Sequence, residues 1–173
     1  VVDINPIIAT IAPGLTKARG NTAGLRGSKT SALEGGVRVP ASIWWKGVIE
    51  NSVTDQFVFV QDLLPTLLSA AGIETDRSVS FDGNDKWKNL INKEITPPDY
   101  DLVGAKIIFD ERALYKNEWK LHSRKPSMFL DANETYSLFN IIEDPFEAND
   151  LSEVELDIFR HMKTYMQNIN QSN

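Results

Sequence analysis

The chain has 173 residues, 42% hydrophobic and 24% charged, with a net charge of −6 and no cysteine. That length allows one domain with a real core, or one domain plus a small lobe. The composition excludes disulfides, thiolate metal ligands and thiol nucleophiles. It gathers Lys and Arg into no phosphate-tracking stripe, which argues against nucleic acid, and it holds no apolar run of membrane-span length.

Residues 1–24 are punctuated by Gly and Pro, with Ile7-Ile8-Ala9 and Ile11-Ala12 as a short-strand candidate. The stretch Leu25–Pro40 follows. It sets one ammonium, Lys29, among glycines, and places Glu34 and Arg38 four residues apart beside Gly35-Gly36. Glycine lets a backbone approach a ligand closely, and a lysine held there is a point charge suited to sulfate or phosphate. The same residues also read as a tight loop with solvated charges leading into a strand. Val37–Trp45 reads as that strand, buried, ending at a Lys46-Gly47 turn. Phe57–Val60 is extended in character. Asp62 then N-caps a helix with Pro65 in its first turn, Leu63, Leu64, Leu67, Leu68 and Ala71 as its buried face, and Gly72 at C′.

From Ile73 to Asp101 the pattern is loop-like, and Pro97-Pro98 mark a boundary that divides the chain into 1–98 and 99–173. Strand candidates follow at Ala105–Phe109, Arg112–Tyr115, Glu118–His122 and Tyr136–Ile141, the middle two joined as a hairpin across Lys116-Asn117. A last helix is expected from Ser152, with Glu155 completing a capping box. Its Val154, Ile158, Met162, Tyr165, Met166 and Ile169 recur at helical spacing and should pack on the sheet. The fold class is α/β, with α+β character in the C-terminal part.

Few other side chains point to chemistry. Glu34 and Arg38 suit a structural ion pair or a backbone-bonding role, since a glycine-rich segment is a poor helix. Arg26 reads as a loop brace, with a second anion contact as the alternative. His122 and His161 read as structural or exposed, and Asp144-Pro145-x-Glu147 as a turn brace ahead of the last helix. Trp44, Trp45, Trp87 and Trp119 read as core residues, with stacking on sugar rings as the alternative.

The order of residues from Leu25 to Pro40 resembles the L-R-G-x-K-x-x-x-x-E-G-G-x-R-x-P stretch of the sulfatase family. Trp44-Trp45-Lys46-Gly47, Asp62-Leu63-Leu64-Pro65-Thr66-Leu67-Leu68, Asp82-Gly83, Glu118-Trp119-Lys120-Leu121, Tyr136-Ser137-Leu138 and Asp144-Pro145-Phe146-Glu147-Ala148-Asn149-Asp150-Leu151 are similar to later motifs of that family, in the same order. The resemblance implies the end of an alkaline-phosphatase-like α/β domain over 1–98, then a C-terminal subdomain over 99–173 with a small antiparallel sheet packed by a helix. It implies that Lys29 is the catalytic lysine that contacts the substrate sulfate, with Arg26 beside it in substrate binding. The family binds calcium partly through an adjacent Asp-Asn pair in S-D-N-G. Here Asp3 and Asn5 are the candidates, with Ile4 between them and Pro6 in place of Gly.

The family's nucleophile is a formylglycine made in a C/S-x-P-x-R motif, and this sequence has none. Its catalytic histidines belong mainly to upstream segments. The chain opens on Val1 without Met, so it is expected to be a fragment or a processed piece, inactive alone, whose partner is the remainder of the catalytic domain. The resemblance implies an aryl sulfate or sulfated glycan as substrate, and a periplasmic, secreted or lysosomal location. The alternatives are a non-catalytic interaction or sugar-binding remnant, or a phosphate or phosphonate ester hydrolase of the same superfamily.

Overall fold

The structure, a computed structural model, describes residues 21–74, 76, 79–103, 109–126 and 133–171. In chain order its elements are a single helical turn α1 (Glu34–Val37), α2 (Leu63–Ala70) entered through a 3-10 turn at Val60–Asp62, α3 (Trp87–Asn92), strands β1 (Asp99–Val103), β2 (Phe109–Lys116), β3 (Trp119–Pro126) and β4 (Thr135–Asn140), and α4 (Leu156–Gln171). They divide into two compact units. One joins the described residues up to Pro40 with those from Asp99 onward, and the other is Ala41–Pro98. Residues 21–40 thus lie with the C-terminal sheet.

In the first unit the strands form an antiparallel sheet in the order β1-β2-β3-β4. The β2–β3 turn falls on Asn117-Glu118, since Lys116 lies opposite Trp119. Asn117 takes the positive φ of 54° that such a turn demands and that Asn tolerates. Alternation along the strands then sorts the side chains by face. Leu114, Leu121 and Leu138 point to α4, where they meet Met162 and Met166, with Trp119, Tyr136, Leu151, Ile158 and Phe159 packed around them. The opposite face carries Glu111, Ala113, Tyr115, Lys120, His122 and Phe139. All of these are buried, and segment 21–38 covers them through the contacts described below.

Several expectations shift. β1 forms at Asp99–Val103, overlapping the end of the stretch read as a loop, while Ala105–Ile108 lies outside the described residues. α4 begins at Leu156 rather than Ser152. No capping box forms at Ser152; instead Asp150 Oδ1 accepts from Ser152 N–H at 2.9 Å and from Leu138 N–H at 3.0 Å, which ties the turn ahead of α4 to β4. Met162 and Met166 are the buried residues of α4's apolar stripe, whereas Val154 is exposed.

In the second unit α2 ends as expected. Gly72, at φ 67°, donates to Ser69 O at 3.0 Å and Ile73 N–H to Leu68 O at 3.0 Å, the paired bonds of a Schellman cap. Its burial is the reverse of the expectation. Leu63, Leu64 and Leu67 are 48%, 57% and 54% exposed, and Pro65 and Thr66 are buried. Thr66 Oγ1 accepts Lys86 N–H at 2.9 Å. Asp62 accepts Phe59 N–H at 2.9 Å and Asn84 N–H at 2.8 Å, so it anchors the neighbouring loop instead of capping α2. A Cβ on Gly83 would lie 2.1 Å from Gln61 O, which explains the Asp-Gly pair there.

The unit contains no described strand to present a sheet to the leucines. Val37–Trp45 likewise forms no strand, and Val39 and Trp44 are 76% and 83% exposed. No described helix is long and apolar enough to cross a membrane.

Burial on this scale separates two leucines. Leu138→Ala should destabilise the first unit by ~2–5 kcal/mol, the range for emptying a leucine site in a core. Leu64→Ala in the same chain should cost no more than about 0.5 kcal/mol, since that side chain lies mostly in water. Urea unfolding of the two variants checks this, and equal losses would contradict the packing described.

Candidate functional site

Lys29 sits at the tip of the loop that leads into α1. The loop is built by close backbone approach. Gly35 N–H donates to Arg26 O at 2.7 Å, and Ser31 N–H to Ser28 O at 3.0 Å. A Cβ on Gly35 would lie 2.6 Å from both Arg26 O and Leu25 O, and one on Gly36 would lie 2.1 Å from Ser31 O. The glycine pair therefore admits the protein's own loop, not a ligand. It does so inside a helical turn, although the sequence suggested no helix there. Thr30, next to Lys29, is held at φ 79°, an unfavourable conformation for a β-branched residue that the surrounding contacts must maintain.

Three buried carboxylates supply those contacts. Glu34 Oε1 accepts from Lys120 Nζ at 2.8 Å and from Tyr115 Oη at 2.8 Å. Lys120 Nζ also meets Glu147 Oε1 at 2.7 Å, while Glu147 Oε2 accepts Glu34 N–H at 2.8 Å. Lys120 and Glu147 are 0% exposed and Glu34 is 3% exposed, so the cluster is closed to water. Burial, and then the charge of Glu34, pushes the Tyr115 phenol well above its ordinary pKa.

On the other flank Glu111 Oε2 accepts from Ser31 Oγ at 2.8 Å and Ala32 N–H at 2.9 Å. His122 Nε2 lies 3.2 Å away, and Arg124 Nε stands 3.4 Å from Oε1. Burial alone would raise the Glu111 carboxyl. Hydrogen bonds from His122, Ala32 and Ser31 outweigh it and bring the pKa down to about 2.

The residues singled out in the sequence fall in different places. Lys29 is exposed, and no described residue pairs with its ammonium. Arg26 turns back to the protein, with Nη1 donating to Glu147 O at 2.8 Å and its guanidinium 5.6 Å from the Phe139 ring centroid. Glu34 pairs with Lys120 rather than Arg38, whose described link to Glu34 is its own N–H donating to Glu34 O at 2.8 Å. His122 is buried against Glu111, and His161 is exposed on α4. Asp144 holds its turn by accepting Asn149 N–H at 2.8 Å. Trp44 and Trp45 are exposed, contrary to the core reading; Trp45 stacks at a tilt on Trp87 with centroids 5.9 Å apart, and Trp119 packs on the core.

Lys120 and Glu147 were missed as a pair. Their signal was present: a lysine between Trp119 and Leu121, and a glutamate in a proline turn, each at a motif position. Asp3 and Asn5 lie outside the described residues. Among the described residues no cluster of His, Asp and Glu suits a metal ion. Glu34, Glu111 and Glu147 are each committed to protein donors, so they do not fit a calcium site.

Residues 12–73 match the family model described as Sulfatase. The chain is 41% identical over 146 residues to arylsulfatase A of Bos taurus, covering 73% of this chain and 28% of that protein. It is 28% identical over 157 residues to an uncharacterized sulfatase of Schizosaccharomyces pombe, covering 86% of this chain and 27% of that one. The chain belongs to the sulfatase family. The solved structure of Ps i-CgsB superposes with a TM-score of 0.69 at 25% identity, over 89% of this chain and 33% of that one.

A solved protein from the Bacteroides thetaiotaomicron locus for metabolism of multiple glycosaminoglycans shares the fold, at TM-score 0.67 and 20% identity. The chain thus spans between a quarter and about a third of the length of these proteins. The neighbours agree with the α/β class and with an antiparallel sheet packed by a C-terminal helix. Glu34 of the E-G-G-x-R motif, Lys120 of W-K-L and Glu147 of D-P-x-E thus meet in one buried cluster.

Glu111 makes stability depend on acid. Its folded pKa of about 2 lies below the ordinary 4.5, so its contribution is complete above pH 4.5 and is lost as pH falls toward 2. The loss should be on the order of 1–2 kcal/mol once solvent screening is allowed for. Glu111→Gln should flatten the pH dependence of the unfolding midpoint in that window. An unchanged slope would show that the carboxylate is not held as described.

Proposed function

We propose that this chain is the C-terminal part of a sulfuric ester hydrolase, to which it contributes Lys29 as a sulfate-contacting catalytic residue and the C-terminal lobe as its support. The observation that carries this reading is the contrast between the Lys29 loop and the charged groups that hold it. Arg26, Glu34, Glu111 and Glu147 are spent on internal bonds, while the Lys29 ammonium is exposed without a described partner. Sulfate ester hydrolysis builds charge on the leaving and sulfuryl oxygens as the S–O bond breaks. A fixed ammonium stabilises that charge without reorganising in the step, provided the loop beneath it is rigid.

Arg26 serves as a loop brace in this reading, since its Nη1 is engaged on Glu147 O. The formylglycine nucleophile and most of the calcium ligands belong to the remainder of the catalytic domain, with Asp3 and Asn5 as the ligand candidates in this chain. The exposed apolar face of Val60, Leu63, Leu64 and Leu67 is the surface which that remainder would cover. Calcium, where bound, would polarise the sulfate oxygens. The substrate is a sulfate ester. Arylsulfatase A of Bos taurus and N-acetylgalactosamine-6-sulfatase of Sus scrofa are both among the relatives. The aryl sulfate and sulfated glycan alternatives therefore both stay within the family.

The chain alone should not hydrolyse aryl sulfates or phosphate esters above background. Turnover that persists through stringent purification would point to a nucleophile outside this account. In a full-length enzyme carrying this segment, Lys29→Ala should lower kcat/KM on a sulfate ester by about 10²–10³-fold, the range for one positioned charge-stabilising donor. Folding stability should hardly move, because the side chain is exposed. Near-normal kinetics would mean that the lysine has no part in the reaction.

A further inference from the structure

The buried cluster lies where the functional reading needs rigidity, and its chemistry is not needed for packing alone. Lys120 is fully buried on β3, on the sheet face turned toward the Lys29 loop. Its ammonium touches Glu34 Oε1 at 2.8 Å and Glu147 Oε1 at 2.7 Å. Glu147, held at φ 54°, makes two direct contacts to the loop segment and shares a third partner with it. Oε2 takes Glu34 N–H, its carbonyl takes Arg26 Nη1, and Oε1 shares Lys120 with Glu34.

Glu34 opens the helical turn whose Gly35 N–H holds Arg26 O and whose Gly36 lies flat against Ser31 O. Displacing Glu34 would therefore shift both stems of the loop that carries Lys29. Glu111 pins the second stem at Ser31 and Ala32 independently, again from β2 of the same sheet. A buried ammonium held by two carboxylates tolerates little displacement, since any gap exposes an uncompensated charge to the interior.

We infer that Lys120, with Glu34 and Glu147, is a positioning device for Lys29: the C-terminal sheet sets where the sulfate-contacting ammonium stands, and so tunes the reaction without touching substrate. The inference rests on the proposed role of Lys29. Lys120 acts through that residue alone, so its effect on rate must vanish when Lys29 is removed. A displacement near 1 Å of a reacting group costs on the order of 10²-fold in rate, which sets the size of the effect.

The test is a double-mutant cycle in the full-length enzyme on a sulfate ester, with amide hydrogen exchange on each variant. Lys120→Met should lower kcat/KM by roughly 10–100-fold, but the Lys29→Ala/Lys120→Met double variant should fall no more than about 3-fold below Lys29→Ala alone. Exchange at Leu25–Gly36 should quicken by about tenfold or more, while that of α4 stays unchanged. Losses that multiply in the double variant, or loop exchange equal to wild type, would overturn the positioning role and leave that of Lys29 standing.

Near-normal kinetics for Lys29→Ala would instead sink the functional reading, and the positioning role with it. If Lys120→Met does not fold, Tyr115→Phe provides the same cycle. It removes one hydrogen bond to Glu34 and no charge, and should cost about 3–10-fold with the same non-additivity. A Tyr115→Phe enzyme with full activity and an unaltered loop would overturn the inference.

Discussion

The first unit depends on a single ammonium with no access to water. Lys120 is 0% exposed in the middle of a sheet, and a charge in that position is intolerable unless anions come to it. They come from Glu34, 86 positions earlier, and from Glu147, in the turn after β4. The fold must therefore bring the glycine-rich segment and that turn to the same face of β3 before Lys120 can be buried. An apolar side chain at 120 would fill the space at lower electrostatic risk, but it would not dictate where the loop lies. The ion cluster gives up part of the available stability for register, because only one placement of residues 26–36 satisfies it.

This division explains the two faces of the sheet. The α4 face is held by Leu114, Leu121, Leu138, Met162 and Met166, which repack with modest loss and specify little beyond proximity. The loop face carries Glu111, Tyr115, Lys120 and His122, each with a directional partner. One face supplies cohesion and the other supplies geometry. The glycine pair belongs to the second role. With side-chain carbons at 35 and 36 the loop backbone could not lie 2.1–2.6 Å from where those atoms would be, and the carboxylates would have nothing fixed to hold.

What the sequence made legible was mostly local. The β2–β3 turn, the Gly72 cap and the Met162–Met166 stripe depend on neighbours within a few positions, and periodicity or turn chemistry displays them. The motif order made the family readable, and with it the Lys29 loop. Burial that depends on a distant layer was not legible. Leu63, Leu64 and Leu67 have the spacing of a core face, yet α2 buries Pro65 and Thr66, because spacing marks a face as apolar without naming what covers it. Lys120 failed for the opposite reason. A lysine on a strand reads as solvent-facing, and its partners lie too far along the chain for any window to connect them. Ser152 does not start α4 because Asp150 accepts its N–H and Leu138 N–H together, which holds residues 150–152 in a turn ahead of the helix.

The same bookkeeping bears on why one lysine of the loop is left over. An exposed ammonium near buried carboxylates is ordinarily neutralised by them, and an arriving anion must then compete. Here the buried carboxylates are already engaged: Glu34 and Glu147 share Lys120, and Glu111 accepts from Ser31 and Ala32 with His122 and Arg124 beside it. Arg26, the other cation of the loop, is turned to Glu147 O. With the carboxylates engaged internally, none of the described ones pairs with Lys29, and the close backbone packing at Gly35 and Gly36 fixes the loop that carries it. In the proposed reading, a loop assembled in this way would favour an oxyanion over water by having little to rearrange when the anion arrives.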